Sequence, residues 1–307
     1  MIGAQWALLR REFWEHRAII VAPVVLVGIV VLASITGQVA VSAFNQAVDL
    51  AILGASNLGE RERAAAISAI TIAISTLFLI EMAVLTTFYL LDTLYTERKD
   101  KSILFWRSLP VTDAETVLSK LLTAAIAIPA VTFAAIAITH LLVLGIAGVW
   151  VSGRGADAMY LIWQAAPLAS NWLATLVLCL ALPLWFLPFA GWFLFVSAWT
   201  KRSPFLVAIL PLIVLPMLER ILLGSTLFRD AIFVRSVKIP LFSADAGDGL
   251  VFGDADDFRI AGDADVTLLS FIDLSKFLGD PGLWTGLVVG GLFVAAAVYV
   301  RRYRDDS

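Results

Sequence analysis

Six apolar runs, each long enough to cross a bilayer, leave this chain few folds to choose from. They cover 18–37, 67–91, 121–150, 171–199, 205–224 and 281–300. At about 1.5 Å per residue, twenty helical residues span the roughly 30 Å hydrocarbon core. Within that core every backbone N–H and C=O must be satisfied inside the protein, which leaves helices or a closed barrel. Runs this long and continuous select helices, so the sequence predicts an all-α membrane protein with six transmembrane helices. Composition agrees: 60% of residues are hydrophobic and 15% charged, against about a quarter charged in a soluble domain. The polar segments are too short for a large water-soluble domain. No basic run is long enough to neutralise a phosphate backbone, so nucleic acid is not an expected partner. Cys179, the single cysteine, lies inside an apolar run; it excludes an intrachain disulfide and a cysteine-based metal site.

The connecting segments have their own patterns. Residues 1–17 place Ile2, Trp6, Leu9 and Phe13 at helical spacing, with Arg10, Arg11, Glu12, Glu15 and Arg17 elsewhere on the wheel. That is an amphipathic helix suited to a membrane interface. A signal peptide fits less well, because the charged region is long and carries acids, and the apolar run beyond it has full spanning length. Residues 38–66 form an outer loop in which Glu60-Arg61-Glu62-Arg63 reads as a solvated turn. Asp92 is expected to close the second span. The third span exceeds a bilayer and should tilt or protrude, and Pro129 is placed to kink it. Met159 to Trp163, in the loop 151–168, suits an interface. Residues 225–280 make the largest polar segment. Its acidic tract from Asp245 to Asp265 lacks the loop geometry of a calcium site and reads as a solvated loop.

Orientation follows from lysine and arginine in short loops. One side collects Arg10, Arg11 and Arg17, then Arg98, Lys99, Lys101, Arg107 and Lys120, then Lys201 and Arg202, then Arg301, Arg302 and Arg304. Both termini and the loop between spans two and three are therefore expected in the cytoplasm, and 225–280 outside it.

That loop, Tyr95 to Leu122, is the most charged patch between two spans. Ile103, Leu104, Phe105 and Trp106 follow the charged run Glu97 to Lys101, the pattern of a short amphipathic helix. Pro110 stops it. Thr112 and Glu115 then form a T-x-x-E capping box that starts a new helix. With Tyr95, Glu97-Arg98, Ser102, Phe105-Trp106, Ser108-Leu109-Pro110-Val111 and Ser119-Lys120, the stretch resembles the cytoplasmic loop between the second and third membrane helices of ABC-2 type transporter permeases. The resemblance implies an elbow helix at 1–17 and a coupling helix within 95–120 that docks on a separate ATP-hydrolysing subunit. Phe105, Trp106 and Leu109 would be apolar anchors in a groove of that subunit. Glu97, Arg98 and Arg107 would supply flanking charges, Ser102 belongs to the same interface, and Lys120 would mark the membrane edge.

Little else in the sequence carries chemistry. There is no phosphate-binding Walker sequence, so ATP and magnesium are expected only in the partner ATPase. His16 and His140 are the only histidines, and no catalytic dyad or metal site is indicated: the chain is not expected to be an enzyme or to hold a cofactor. Glu81 is the one acid near the middle of a span, about 15 Å from Leu91 along the helix. A charge there costs about 2.5–3.5 kcal/mol at least. Two readings stay open: Glu81 lines a substrate route or subunit interface, or it is a protonated acid bonded to nearby Thr or Ser hydroxyls. His140 lies about 28 Å beyond Leu121, too far outward to be its partner. Glu219-Arg220 reads as an interfacial pair at a helix end, and Asn171 and Ser197 as packing or capping groups.

The function these readings imply is the permease subunit of an ATP-driven exporter in a bacterial cytoplasmic membrane, as two copies with two ATPase subunits and lipid as its other partner. A non-transporting relay or scaffold on an ATPase is the alternative. An ion-coupled secondary transporter fits less, since the chain offers a lone Glu81 and no inverted repeat.

Overall fold

The computed structural model describes residues 2–42, 52, 54–101, 111–242 and 268–303. The described residues are helical, without a strand, and six of the helices are long and apolar enough to cross a membrane. This is the architecture of a multi-pass membrane protein. The helices are α1 (Ile2–Glu15), α2 (Ala18–Ser42), α3 (Glu60–Lys99), α4 (Asp113–Leu122), α5 (Ile128–Gly153), α6 (Leu168–Trp185), α7 (Leu187–Trp199), α8 (Pro204–Leu223), α9 (Leu227–Val237), α10 (Leu274–Gly279) and α11 (Pro281–Tyr303).

Helix α3 is the centre of the bundle, packing on α2, α5, α6, α7 and α8. It starts earlier and ends later than the apolar run suggests. Glu60 to Arg63, expected as a turn, form its first turn: Gly59 precedes the helix and its N–H donates to Glu62 Oε2 at 3.0 Å. Arg63 is buried, donates to Leu58 O and lies 4.3 Å from the Tyr160 ring centre. At the other end the helix passes Asp92 and runs to Lys99. Nothing at Asp92 breaks helical geometry; the polar residues beyond it continue the helix because Thr93, Leu94 and Glu97 bury against neighbours. With 40 residues, α3 extends about 60 Å, twice the hydrocarbon core.

The capping box is formed as expected. Glu115 N donates to Thr112 Oγ1 at 3.2 Å, and Thr112 N to Glu115 Oε2 at 2.9 Å. From there α4 and α5 make one long rod, interrupted by a π-helical turn over Thr123–Ala127. Pro129, just after it, has no N–H to give and its ring crowds the turn behind. Widening the turn to i→i+5, with Ile128 N on Thr123 O, absorbs this locally.

The fourth crossing is two helices. α6 ends at Trp185 and α7 begins at Leu187, with Pro183 and Pro188 on either side of the break at Phe186. α7 then packs closely on α11. A Cβ at Gly191 would meet Gly290 O at 2.5 Å, and one at Gly290 would meet Leu187 Cγ at 2.7 Å. Glycine lets the two backbones approach, as in other small-residue crossings within membranes.

At the end opposite α1, a buried polar cluster ties α3, α5 and α6. Asn171 donates to Thr71 Oγ1 and accepts from Leu268 N. His140 Nδ1 accepts from Trp172 Nε1 at 3.1 Å, so its Nε2 carries the hydrogen that meets Thr71 O at 3.0 Å. His140 is thus a satisfied packing residue among α3 and α6 groups. Glu219, expected to pair with Arg220, turns instead to the start of α9. It accepts from Ser225 Oγ, Leu227 N and Phe228 N at 2.7–2.8 Å. Gly224, at φ +65°, reverses the chain after α8 and brings the free N–H groups of α9 onto that carboxylate.

Candidate functional site

Two places in this bundle are more than packing. The first is a set of buried charges where α1, α3, α4 and α11 converge. Lys120, on α4, is completely buried; its Nζ lies 3.0 Å from Glu12 Oε1 on α1, 2.9 Å from Glu97 Oε1 on α3 and 2.7 Å from Thr93 Oγ1. Glu97, 4% exposed, also accepts from Arg301 Nη1 of α11 at 2.6 Å and from Arg11 Nη2 of α1 at 3.0 Å. Arg301 reaches Asp113, at the start of α4, at 3.0 Å. Glu12 takes a further hydrogen from Tyr89 OH at 2.8 Å. Each buried charge has an opposite charge and a hydrogen bond beside it. An unpaired charge in such a place costs several kcal/mol, so the four helices hold one another in a single arrangement.

α1 supports this by turning part of its polar face inward. Leu8 and Glu12, one turn apart, are buried, whereas Trp14 is 71% exposed. The amphipathic pattern read from Ile2, Trp6, Leu9 and Phe13 does not predict this, since Glu12 was placed on the polar side. His16 follows on the same face, with its ring edge-on to Tyr89 at 4.9 Å and its Nε2 3.8 Å from Glu12. Burial lowers the His16 pKa against the opposing pull of the Glu12 carboxylate.

Arg98 is also used within the chain. Its Nη2 donates to Ser197 O and Thr200 O at 2.5 and 2.7 Å, a cation on the last carbonyls of α7 where the helix dipole favours it. Ser197 Oγ in turn accepts from Leu94 N and Tyr95 N. Of the residues assigned to a docking face, then, Glu97, Arg98 and Lys120 are engaged inside this chain. Ser102, Phe105, Trp106, Arg107 and Leu109 lie outside the described residues. The buried charges flank them: Glu97 stands just before this segment, Asp113 and Lys120 just after.

Sequence reasoning singled out Glu97, Arg98 and Lys120 but assigned them to an outer face. It missed Glu12 and Arg301, whose only signal was a charge placed one helical turn from an apolar core residue, Leu8 and Ala297 respectively. Periodicity alone does not say that a charge has a partner on another helix.

The second place is a cavity of about 1150 Å³ towards the opposite end, between α7, α8, α9 and α11. α8 and α11 both pack on α7 but make little contact with each other, which leaves the space. Phe189, Trp192, Leu212, Leu215, Phe293 and Arg235 are among the residues that line it. A smaller cavity of about 350 Å³ adjoins it, sharing Phe189 and Leu212 and bordered by Met82, Ala83, Thr86 and Thr87 of α3.

Glu81 lines neither cavity. Both its carboxylate oxygens are buried and without a hydrogen-bond partner among the described residues. The bond to a neighbouring Thr or Ser hydroxyl is not formed: Thr76 and Thr87 donate to the carbonyls of Ile72 and Ala83 instead. Because α3 continues to Lys99, Glu81 sits about 24 Å up the helix from Glu97, farther from the basic end than the distance to Leu91 suggests.

No family model, no curated protein and no solved structure matches this chain.

Proposed function

We propose that this chain is the membrane-spanning subunit of an exporter driven by a separate ATPase. The observation that carries the reading is the buried charge cluster at both ends of segment 102–110. A loop that merely joins two spans needs no such foundation. A loop that receives force does, and here the residues bordering it are bonded to α1, α3, α4 and α11 together. Displacing the segment would move the ends of two full-length rods and the last span as a unit. The rods border the smaller cavity, and α3 carries Glu81.

In this reading the basic end is cytoplasmic, Phe105, Trp106 and Leu109 seat in the ATPase, and nucleotide-driven closure shifts the spans between two populations. Two copies would associate about a two-fold axis. α2 and α8, whose most apolar stretches are 11% buried in the single chain, offer broad apolar faces for lipid and for the second copy. Glu81, bare of donors, is placed to meet a substrate or a group from that second copy.

Proteoliposomes holding the chain with its ATPase test this. A tracer amphiphile should accumulate on adding ATP and not on imposing a proton gradient. ATP turnover stimulated by no amphiphile and moving none would point to the relay, and movement that follows the proton gradient to a secondary transporter.

A further inference from the structure

Glu81 lies where α2, α3 and α5 meet. On α5, His140 meets Thr71 O and stands 3.5 Å from Ser75 Oγ of α3; on α4, Lys120 meets Thr93 Oγ1. The two rods therefore run antiparallel, and Thr132 of α5 falls level with Glu81. One helical turn farther from the termini, Leu26, Val27 and Val30 of α2 pack in a single cluster with Ile74 and Phe78 of α3 and Ala135 and Ile136 of α5. A step of one turn back along each helix reaches Pro23, Glu81 and Thr132. Glu81 is one turn from Phe78 and two from Ile74, so it continues the stripe of α3 that faces this junction.

Nothing at this level completes the carboxyl. Both Glu81 oxygens are buried and neither has a hydrogen-bond partner among the described residues. Thr132 is completely buried and its hydroxyl too is without a partner, so the two side chains are not bonded to each other. Pro23, also buried, has no N–H to offer. Charge is absent as well. α2, α6 and α7 carry no acid or base, and α8 carries only Glu219 and Arg220 near its end. On α5 the one such group is His140, about 12 Å along the helix from Thr132 and already bonded to Trp172 and Thr71. On α3, Asp92 is about 16 Å from Glu81, and Glu97, which holds Lys120 and Arg301, about 24 Å.

This leaves an acid near the middle of the hydrocarbon core with nothing to balance a charge. Ionised, it would cost about 2.5–3.5 kcal/mol at least; a buried carboxylate without a partner becomes neutral instead. A metal ion or an ammonium group would have to touch the oxygens, and both are enclosed. A proton is the one cation that needs no room.

We infer that Glu81 is a proton-binding site: enclosed by α2, α3 and α5, its side chain is a neutral carboxylic acid at neutral pH. The proton comes from solvent and stays while the three helices are closed around it. The inference does not depend on the exporter reading, because the acid is observed in the purified chain without an ATPase. Within that reading, a substrate that reaches Glu81 when the helices part would meet a hydrogen-bond donor, not an anion.

Infrared absorption of the full-length protein tests it. At about pH 7, where an ordinary glutamate is ionised, the wild type should show the carbonyl stretch of a protonated carboxylic acid with the amplitude of a single group. Labelling with [13C]glutamate should move that band to lower frequency, which separates it from the aspartates. Glu81→Gln should remove it. Thermal unfolding checks that each variant is folded. Should Glu81→Gln not fold, Glu81→Asp decides: its band should remain but no longer respond to the label. No such band in the wild type, a band that the label leaves in place, or one that persists in a folded Glu81→Gln would overturn the inference.

Discussion

Lys120 Nζ lies 2.9 Å from Glu97 Oε1, and neither side chain reaches solvent to any extent. The pair ties α3, which ends before segment 102–110, to α4, which begins after it. Removing one member takes a close partner from the other but not its last, since Glu97 keeps Arg301 and Arg11 and Lys120 keeps Glu12, so the cost stays below the roughly 3–5 kcal/mol of a buried charge left wholly unpaired. Lys120→Met should therefore lower the thermal unfolding midpoint clearly, and Glu97→Gln should do so by a comparable amount. The double variant should be less damaging than the sum of the two, since both changes remove the same contact. Thermal unfolding of the purified chain in detergent reads all three.

Arg98 acts at a helix end. Two hydrogen bonds to the carbonyls of Ser197 and Thr200 at the end of α7 are worth about 1 kcal/mol together with the dipole. Arg98→Gln should cost that order of stability, while Arg98→Lys, a point charge without the fork, should recover part of it. The same unfolding measurement separates them, and an Arg98→Gln as stable as wild type would remove the capping role.

The α7–α11 crossing predicts a sharp contrast between neighbours. A Cβ at Gly290 meets Leu187 Cγ at 2.7 Å and its carbonyl carbon and oxygen at 2.8 Å, while one at Gly291 meets nothing within 4 Å. Gly290→Ala should destabilise by about 1–3 kcal/mol through overpacking. Gly291→Ala should be neutral or slightly stabilising, because alanine favours the helix. Equal effects at the two positions would contradict the close approach.

His16 gives a pH dependence. Burial holds its pKa below the ordinary value in the folded chain, with Glu12 opposing, so the unfolded chain binds the proton more readily. The stability contributed by the neutral ring is then full above about pH 6.5, the usual histidine range, and declines as the pH falls through that range towards the folded value. His16→Gln should flatten this component of the stability–pH curve between about pH 5 and 7. Thermal midpoints of the two proteins across that interval provide the check.

Much of the architecture was legible because apolar length is a strong signal. The apolar runs, the Thr112–Glu115 cap and the disturbance at Pro129 all follow from local chemistry. The ends of α3 did not, since Glu60 to Arg63 and Thr93 to Lys99 are helical by virtue of contacts with Leu58, Tyr160, Lys120 and Arg301 that no local pattern announces. The same holds for the two candidate sites. Glu97 and Lys120 were visible as charges, but burial and partners across four helices are tertiary facts. Arg235 looked like any loop base until Trp185, Gly282 and Gly286 came together around it. Gly286 and Gly290 share the small-xxx-small spacing, but their roles differ: Gly290 meets Leu187 of α7 and Gly286 meets Arg235.

The central claim is that segment 102–110 receives force from an ATPase and delivers it through the buried charges. Its most direct test is the ATP hydrolysis that co-purifies with this chain from its native membrane, compared between wild type and the double variant Phe105→Asp/Trp106→Asp. The account predicts ATPase activity in the wild-type preparation and its loss from the variant, with the thermal midpoint of the membrane chain unchanged. A variant that keeps the ATPase bound and active would contradict it.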